Sequence, residues 1–357
     1  METIAQKLLK WFEANRRKLP WRNTKDPYAI WVSEVMLQQT QVNTVIPYYK
    51  RFLKKFPTIE ILSTSNQDDV LKCWEGLGYY ARAINFQKAS QMVMTQFSGQ
   101  VPQDPKAFKQ LPGVGDYINA AVQSIAFGHS MAVVDGNVRR VLSRLFEMKE
   151  TVNENKYAKT YAKKAQSLLC DKSPGDYNQA IMELGALICT PRNPKCKQCP
   201  LSKECQAYYH DTLTIFPMRK KSPVIPTENW VASIIQKDNK FLITQRKAGG
   251  FLGGLWEFPG GKIRNNETIQ RACLRHVRDQ LQIDIRINHH VTQIKHTYTH
   301  FKQIMDAFLC QYESGTIVLN GPADYKWITW TQINQFALPK SNLKFLAKFK
   351  SYIDFIF

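Results

Sequence analysis

No run of apolar residues approaches the roughly 18 that a membrane-crossing helix needs, so no spanning segment is expected. The opening stretch METIAQKLLKWFEANRRKLPW carries Glu2 and Glu13 and lacks both the long apolar core and the small-residue cleavage site of an export signal. Low-complexity tracts and internal repeats are missing too, which argues against disorder. The most telling scarcity is of negative charge. Only 29 Asp and Glu stand against 49 Lys and Arg, a net charge of +20 over 357 residues. A surplus that large implies a polyanionic partner, and without an apolar anchor nucleic acid is favoured over a membrane surface. Eight cysteines without an export signal point to a reducing compartment, where clustered thiols bind metal more readily than they pair. A cytoplasmic, nucleoid-associated monomer is the expectation, and the isolated Cys73, Cys170, Cys273 and Cys310 read as buried apolar residues.

What is present suffices for two packed cores. Hydrophobic residues make up 44% of the chain and aromatics 12%, and this length is more than one core needs. Up to about residue 210 the texture is helical, broken at Gly and Pro; Ile4, Leu8, Trp11 and Phe12 share one face of a first core helix. DTLTIFPMRKKSPVIPTEN, with three prolines and little periodicity, reads as a linker. After it, WVASIIQKDNKFLITQRK alternates apolar and polar around a DN turn, the signature of a hairpin. HTYTHFKQIMDAFLCQYE and YKWITWTQI also read as strands, and SNLKFLAKFKSYIDF as a closing helix. The expectation is an all-α domain over 1–210, a linker over 211–228 and an α+β domain over 229–357.

Cys189, Cys196, Cys199 and Cys205 follow the spacing C-x6-C-x2-C-x5-C. Structural zinc usually shows two separated C-x2-C pairs. One such pair wrapped by longer arms in a single loop suits an iron–sulfur cluster better, although zinc remains open on spacing alone. Either metal would hold Arg192, Lys195, Lys197 and Lys203 at fixed positions, which fits a rigid phosphate backbone.

Upstream, LPGVG places Gly113 and Gly115 where backbone N–H groups can approach an anion just before a helix. Asp135, in AVVDGNVRRVLSRLF, is at minimum a helix N-cap. Glu34 lies between Ile30 and Leu37 in DPYAIWVSEVMLQQTQV, a carboxylate on a largely apolar face. Such a group is either at the edge of the stripe or desolvated, and desolvation raises its pKa toward that of a general acid at neutral pH.

Taken together, WVSEVMLQQTQV, the LPGVG hairpin, DGNVRR and the four cysteines resemble the helix-hairpin-helix DNA glycosylases of the endonuclease III and MutY group, on its adenine-specific MutY branch. The resemblance implies a [4Fe-4S] cluster on the four cysteines with a structural, DNA-contacting role. It implies that Glu34 protonates a departing adenine and helps activate water, that Asp135 stabilises positive charge on the sugar, and that Asn137 supports the site. Bifunctional relatives carry a Schiff-base lysine at the position of Tyr117. A phenol offers no such amine, so a monofunctional enzyme is expected, with an endonuclease III-like glycosylase/lyase for oxidised pyrimidines as the alternative. Trp21, Arg22 and Gln179 match pocket residues around the extruded base. Gln39 and Tyr79 match side chains that wedge into the stack beside the opposite purine, and Thr40 is counted with them as a DNA contact.

FLGGLWEFPGGKIRNNETIQRACLRHVRDQLQI resembles the Nudix box region. Gly261, Glu267 and Arg275 are kept, but the metal-binding glutamate positions read His276, Asp279 and Gln280. The resemblance therefore implies a Nudix-like fold without hydrolase activity. In the MutY group this domain reads 8-oxoguanine opposite the target adenine, and the matching loop here holds Tyr298, Thr299 and His300. The expected partner is duplex DNA containing A:8-oxoguanine mispairs.

Overall fold

A computed structural model describes residues 2–221 and 223–356, with side chains through residue 349. By contact the chain divides into two compact units, one of residues 1–64 and 88–222, the other of 65–87 and 223–357.

The first unit is helical. It contains α1 (Ile4–Asn15), α2 (Pro27–Leu37), α3 (Val42–Lys55) and α4 (Ile59–Thr64). The second unit takes α5 (Gln67–Trp74) and the first part of α6 (Ala81–Gln96). The helical unit resumes with α7 (Pro105–Lys109), α8 (Asp116–Phe127), α9 (Gly136–Leu145), α10 (Ala158–Gln166), α11 (Pro174–Leu187) and α12 (Gln206–Tyr209). The N-terminus of α1 is closed by a capping box, in which Thr3 Oγ1 accepts from Gln6 N–H and Gln6 Oε1 from Thr3 N–H. Asp26 caps α2 through Tyr28 and Ala29 N–H, with Pro27 in the first turn. Every residue of α2 from Tyr28 to Met36 is buried, so this helix is enclosed on all sides. The expected first core helix forms, and Leu8 and Phe12 join Val138, Leu142, Tyr177, Ile181 and Leu184 in a shared core. Helix α11 packs closely on its neighbours. A Cβ added at Gly185 would meet the Asn137 Cβ at 2.7 Å.

The sheet of the second unit runs β3-β2-β1-β6-β5, with β4 on β1 and β7 on β2. The strands are β1 (Thr227–Lys237), β2 (Lys240–Gln245), β3 (Trp256–Glu257), β4 (Gly260–Lys262), β5 (Asp284–Thr297), β6 (Lys302–Ser314) and β7 (Asp324–Ile328). Strands β1 and β6 are parallel; the other pairs are antiparallel. The DN turn closes the expected β1–β2 hairpin, with Asp238 and Asn239 both left-handed at φ 46° and 61°. Helix α13 (Ile269–Leu281) covers one face over Val231, Ile235 and Phe308. Helix α14 (Lys340–Ile356) covers the other, over Ala232, Ile234 and Phe241. Burial on both faces explains why Val231, Ala232, Ile234 and Ile235 are apolar on both sides of the strand, while the buried Ser233 hydroxyl lies 3.0 Å from Cys273 Sγ. One strand expectation is only half met. YKWITWTQI is extended to Ile328 and then turns into a 3₁₀ helix over Trp330–Gln335, opened by a capping box between Thr329 and Gln332.

Candidate active site

Within the helical unit, α2, α8, α9 and α11 meet around a cavity of about 140 Å³. Trp21, Arg22, Glu34, Thr40, Tyr117, Asp135, Asn137 and Gln179 all line it. A cavity of about 150 Å³ admits a single six-membered ring, so the space is on the scale of a nucleobase whose other edge faces the opening.

Glu34 is 4% exposed, and its Oε2 accepts a hydrogen bond from the Tyr117 hydroxyl at 2.6 Å. Burial pushes its carboxyl up to about 7. The Tyr117 hydrogen bond opposes this, the charge of Asp135 adds to it, and Arg22 subtracts a little. Burial also holds the Tyr117 phenol well above its ordinary range, so it serves as a neutral donor.

Asp135 is the N-cap of α9, and Oδ1 accepts from Val138 N–H at 2.7 Å. Its Oδ2 accepts from Asn137 Nδ2 at 2.8 Å. Burial raises this carboxyl, while the Val138 and Asn137 donors and the Arg140 charge pull it back. Cap and cavity-lining acid are thus one residue, the cap bond occupying one oxygen. Behind it, Arg140 donates to Asn137 Oδ1 at 2.8 Å, to Gly185 O at 2.7 Å and to Cys189 O at 2.7 Å.

The cavity wall holds a network that sequence reasoning missed. Glu183, 1% exposed on α11, accepts two hydrogen bonds from the Arg22 guanidinium, each 3.0 Å. It also accepts from Arg17 Nε, Nη2 and backbone N–H. Burial alone would raise its carboxyl, but the Arg17 and Arg22 donors outweigh burial and hold it at about 2. The signal that singled out Glu34, an acid within an apolar helix, was equally present in AIMELGAL.

The four loop cysteines line one small cavity together with Arg144, whose Nη1 lies 3.4 Å from Cys189 Sγ. Tetrahedral thiolates on one zinc, at Zn–S of about 2.3 Å, would sit roughly 3.8 Å apart. No three His, Cys, Asp or Glu side chains among the described residues converge closely enough to ligate a single ion. Four thiols lining one shared space are a donor set that suits a thiolate-held metal or cluster. Burial pushes the Cys199 thiol up to about 12, and raises Cys196 and Cys205 as well. Gly113, at φ 79°, forms the turn before α8, and Gly115 is its N-cap.

Gln39 is exposed and lies outside the cavity lining, with a left-handed backbone at φ 57°. Tyr79 is also exposed and left-handed, at φ 49°. Such conformations cost energy in residues with a Cβ and collect at functional positions. In the second unit, Tyr79 OH lies 2.7 Å from Thr299 Oγ1. Thr299 and His300 form the exposed tip between β5 and β6, closed by the Tyr298 N–H to Phe301 O bond at 2.9 Å. Tyr298 itself is engaged inward. Its hydroxyl is 3.0 Å from Ser341 Oγ, and its ring packs edge-on against His296 and Phe251. On α13, His276 Nε2 meets Lys262 O at 2.9 Å and Gln280 Nε2 donates to Gly260 O at 2.8 Å. The Glu267 carboxylate is tied to Arg275 at 2.6 Å.

The description "HhH-GPD superfamily base excision DNA repair protein" matches residues 32–167, and "NUDIX domain" matches residues 230–348. The human adenine DNA glycosylase is 33% identical over 388 residues, covering 93% of this chain and 71% of the human one. The chain belongs to the adenine DNA glycosylase family. Another relative of the same name, from Buchnera aphidicola of Schizaphis graminum, is 32% identical across 97% of this chain and 99% of its own. Among solved structures, a thermostable thymine-DNA glycosylase is 34% identical with a TM-score of 0.54, covering 58% of this chain and 95% of its own. A trapped endonuclease III–DNA covalent intermediate, 24% identical with a TM-score of 0.50, shares the fold. Of the three acids lining the cavity, Glu183 is tied to two arginines, which leaves Glu34 and Asp135 as the pair that bears on chemistry. No lysine lines that cavity among the described residues.

Proposed function

We propose that this chain is a monofunctional glycosylase that excises adenine mispaired with 8-oxoguanine, and with guanine, from duplex DNA in base excision repair. One observation carries the reading: a buried carboxyl held near neutrality faces a second acid across a cavity of nucleobase scale.

At neutral pH a large share of Glu34 is protonated. An adenine flipped into the cavity receives that proton at N7, which makes the base a competent leaving group. The C1′–N9 electron pair departs with the base, leaving positive charge on the sugar. Asp135, which accepts from Val138 N–H and from Asn137 Nδ2, is assigned the role of the carboxylate facing the sugar. Its carboxylate stabilises the sugar cation. Glu34, now ionised, accepts a proton from the attacking water and is thereby reset. Tyr117 donates to Glu34 and offers no amine to capture the sugar, which favours hydrolysis over strand nicking.

The cysteine set fits a [4Fe-4S] cluster held by Cys189, Cys196, Cys199 and Cys205; bound there, such a group would tie the basic loop together as a structural element. Arg192, Lys195, Lys197 and Lys203 would meet backbone phosphates, and the turn at Gly113 and Gly115 would add backbone donors. In the second unit, the exposed Thr299 and His300 would read the purine opposite the target, with Gln39 and Tyr79 filling the stack. His276 and Gln280 are bonded to backbone carbonyls where a pyrophosphatase needs metal-binding glutamates, which supports a reading role without hydrolysis.

Single-turnover assays on duplexes carrying A:8-oxoguanine, A:G or thymine glycol test this. Adenine release from the first two without strand scission is expected. Nicking confined to thymine glycol would overturn it in favour of the endonuclease III-like alternative. Iron analysis separates the cluster from zinc.

A further inference from the structure

Residues 65–87 carry Tyr79, the side chain that the proposed function sends into the base stack, yet they group with the C-terminal unit. Polar contacts hold them there. Asp68, in the first turn of α5, accepts from Gln245 Nε2 at 3.0 Å through Oδ1 and from the Trp256 indole N–H at 3.2 Å through Oδ2. Trp256 is 1% exposed, so that N–H depends on a protein acceptor. Just past the other end of α5, Glu75 Oε1 accepts from Leu338 N–H at 2.8 Å and Oε2 from Lys72 Nζ at 2.6 Å. Lys72 in turn donates to Phe336 O at 3.0 Å.

From Glu75 the chain reaches Tyr79 through a turn with little freedom. Gly76, Gly78 and Tyr79 are all left-handed, at φ 91°, 79° and 49°. Tyr80 OH accepts from Gly76 N–H at 3.0 Å. Arg82 donates to Gly78 O at 3.0 Å, and its guanidinium stacks over the rings of Trp74 and Tyr79. Beyond the turn, Tyr79 OH meets Thr299 Oγ1. The segment is thus anchored at both ends of α5 and touches the hairpin tip with its wedge.

We propose that Asp68 and Glu75 are positioning residues for discriminating the base opposite the target adenine. They make the Tyr79 wedge and the Thr299 tip one mechanical body, so the base met by the tip sets how Tyr79 enters the stack. Neither carboxylate touches the reacting atoms; each acts through the backbone that carries Tyr79. The inference rests on the proposed function and adds the means by which reading the opposite base is coupled to opening the stack.

The test uses the full chain, with duplexes carrying a non-cleavable adenine analogue opposite 8-oxoguanine or guanine for affinity and cleavable duplexes for single-turnover rates. Asp68→Ala and Glu75→Ala should each lower the 8-oxoguanine-over-guanine affinity ratio about tenfold, within the usual range of coupling between sites. Excision from A:G at saturating enzyme should stay within about twofold, because the cavity around Glu34 is untouched. Glu75→Gln keeps an acceptor for Leu338 N–H and should restore most of the ratio. Tyr79→Phe, which removes only the hydroxyl, should lower the ratio alone but add little on top of Asp68→Ala. An unchanged ratio in both alanine variants overturns the proposal. So does an equal loss of A:G excision, which would mark a merely structural role. If the unsubstituted chain released adenine from neither duplex, the proposed function would fall first and this inference with it.

Discussion

Glu34 in the helical unit and Glu267 in the C-terminal unit began as the same side chain and ended about five pH units apart. Glu34 receives one phenolic hydrogen bond in a buried setting and sits at about 7. Glu267 receives two hydrogen bonds from the Arg275 side chain and one from Arg264 N–H, and sits at about 2. Glu183 shows that burial alone does not set the outcome. It is as enclosed as Glu34, yet two arginines keep it at about 2. What separates a carboxyl held near neutrality from a structural anchor is the number of charged donors supplied along with burial.

The largest expected effect breaks this comparison at its reactive end. Glu34→Gln should slow adenine excision by about 10²–10⁴-fold, the range for losing a general acid, while duplex binding persists. Rapid-quench rates with a parallel binding isotherm check both halves. For the unsubstituted chain, the excision rate should fall as pH rises through about 7.

Next, Glu183→Gln removes the counter-charge of two arginines and should cost about 3 kcal/mol in denaturant unfolding. The Glu183 carboxyl is depressed in the fold, so its contribution is present above the ordinary carboxylate range and lost as pH falls toward 2.

Glu34 should show the opposite sign. Its folded-state pKa is raised, so stability is full below the unfolded value near 4.5 and declines as pH rises through about 7. Glu34→Gln should therefore be more stable than the unsubstituted chain at pH 8, by up to about 3 kcal/mol, and no more stable at pH 4. Paired melts at the two pH values measure this.

The smallest change is expected from Glu267→Gln. Its partner Arg275 is near the surface, so thermal unfolding should shift slightly and adenine excision not at all.

Much of this was legible from local pattern. The DN hairpin, the first core helix and the helical α14 each follow from short-range rules. Seven of the expected base-pocket and catalytic residues, spread from Trp21 to Gln179, line one cavity, which the family resemblance anticipated and periodicity alone could not. The rest depended on tertiary partners. Ser65–Gln87 groups with the C-terminal unit through Asp68 and Glu75, contacts that the helical texture of residues 1–210 does not announce. Nothing in QDDVLKCWEG announces an acceptor for a tryptophan 188 positions away. Tyr298 was expected to contact DNA, and its aromatic character does not reveal that its hydroxyl is engaged by Ser341. In WTQI, the Thr329 cap with Gln332 overrode a strand-like alternation.

Gly185 offers no functional group, yet its missing side chain leaves the room in which Asn137 sits. A single methyl there would press on the Cβ and backbone of Asn137, whose side-chain amide donates to Asp135 and accepts from Arg140. Under the proposed function, damage at this silent spot on α11 would surface as a fault in charge stabilisation at the sugar, several bonds removed from where it was introduced.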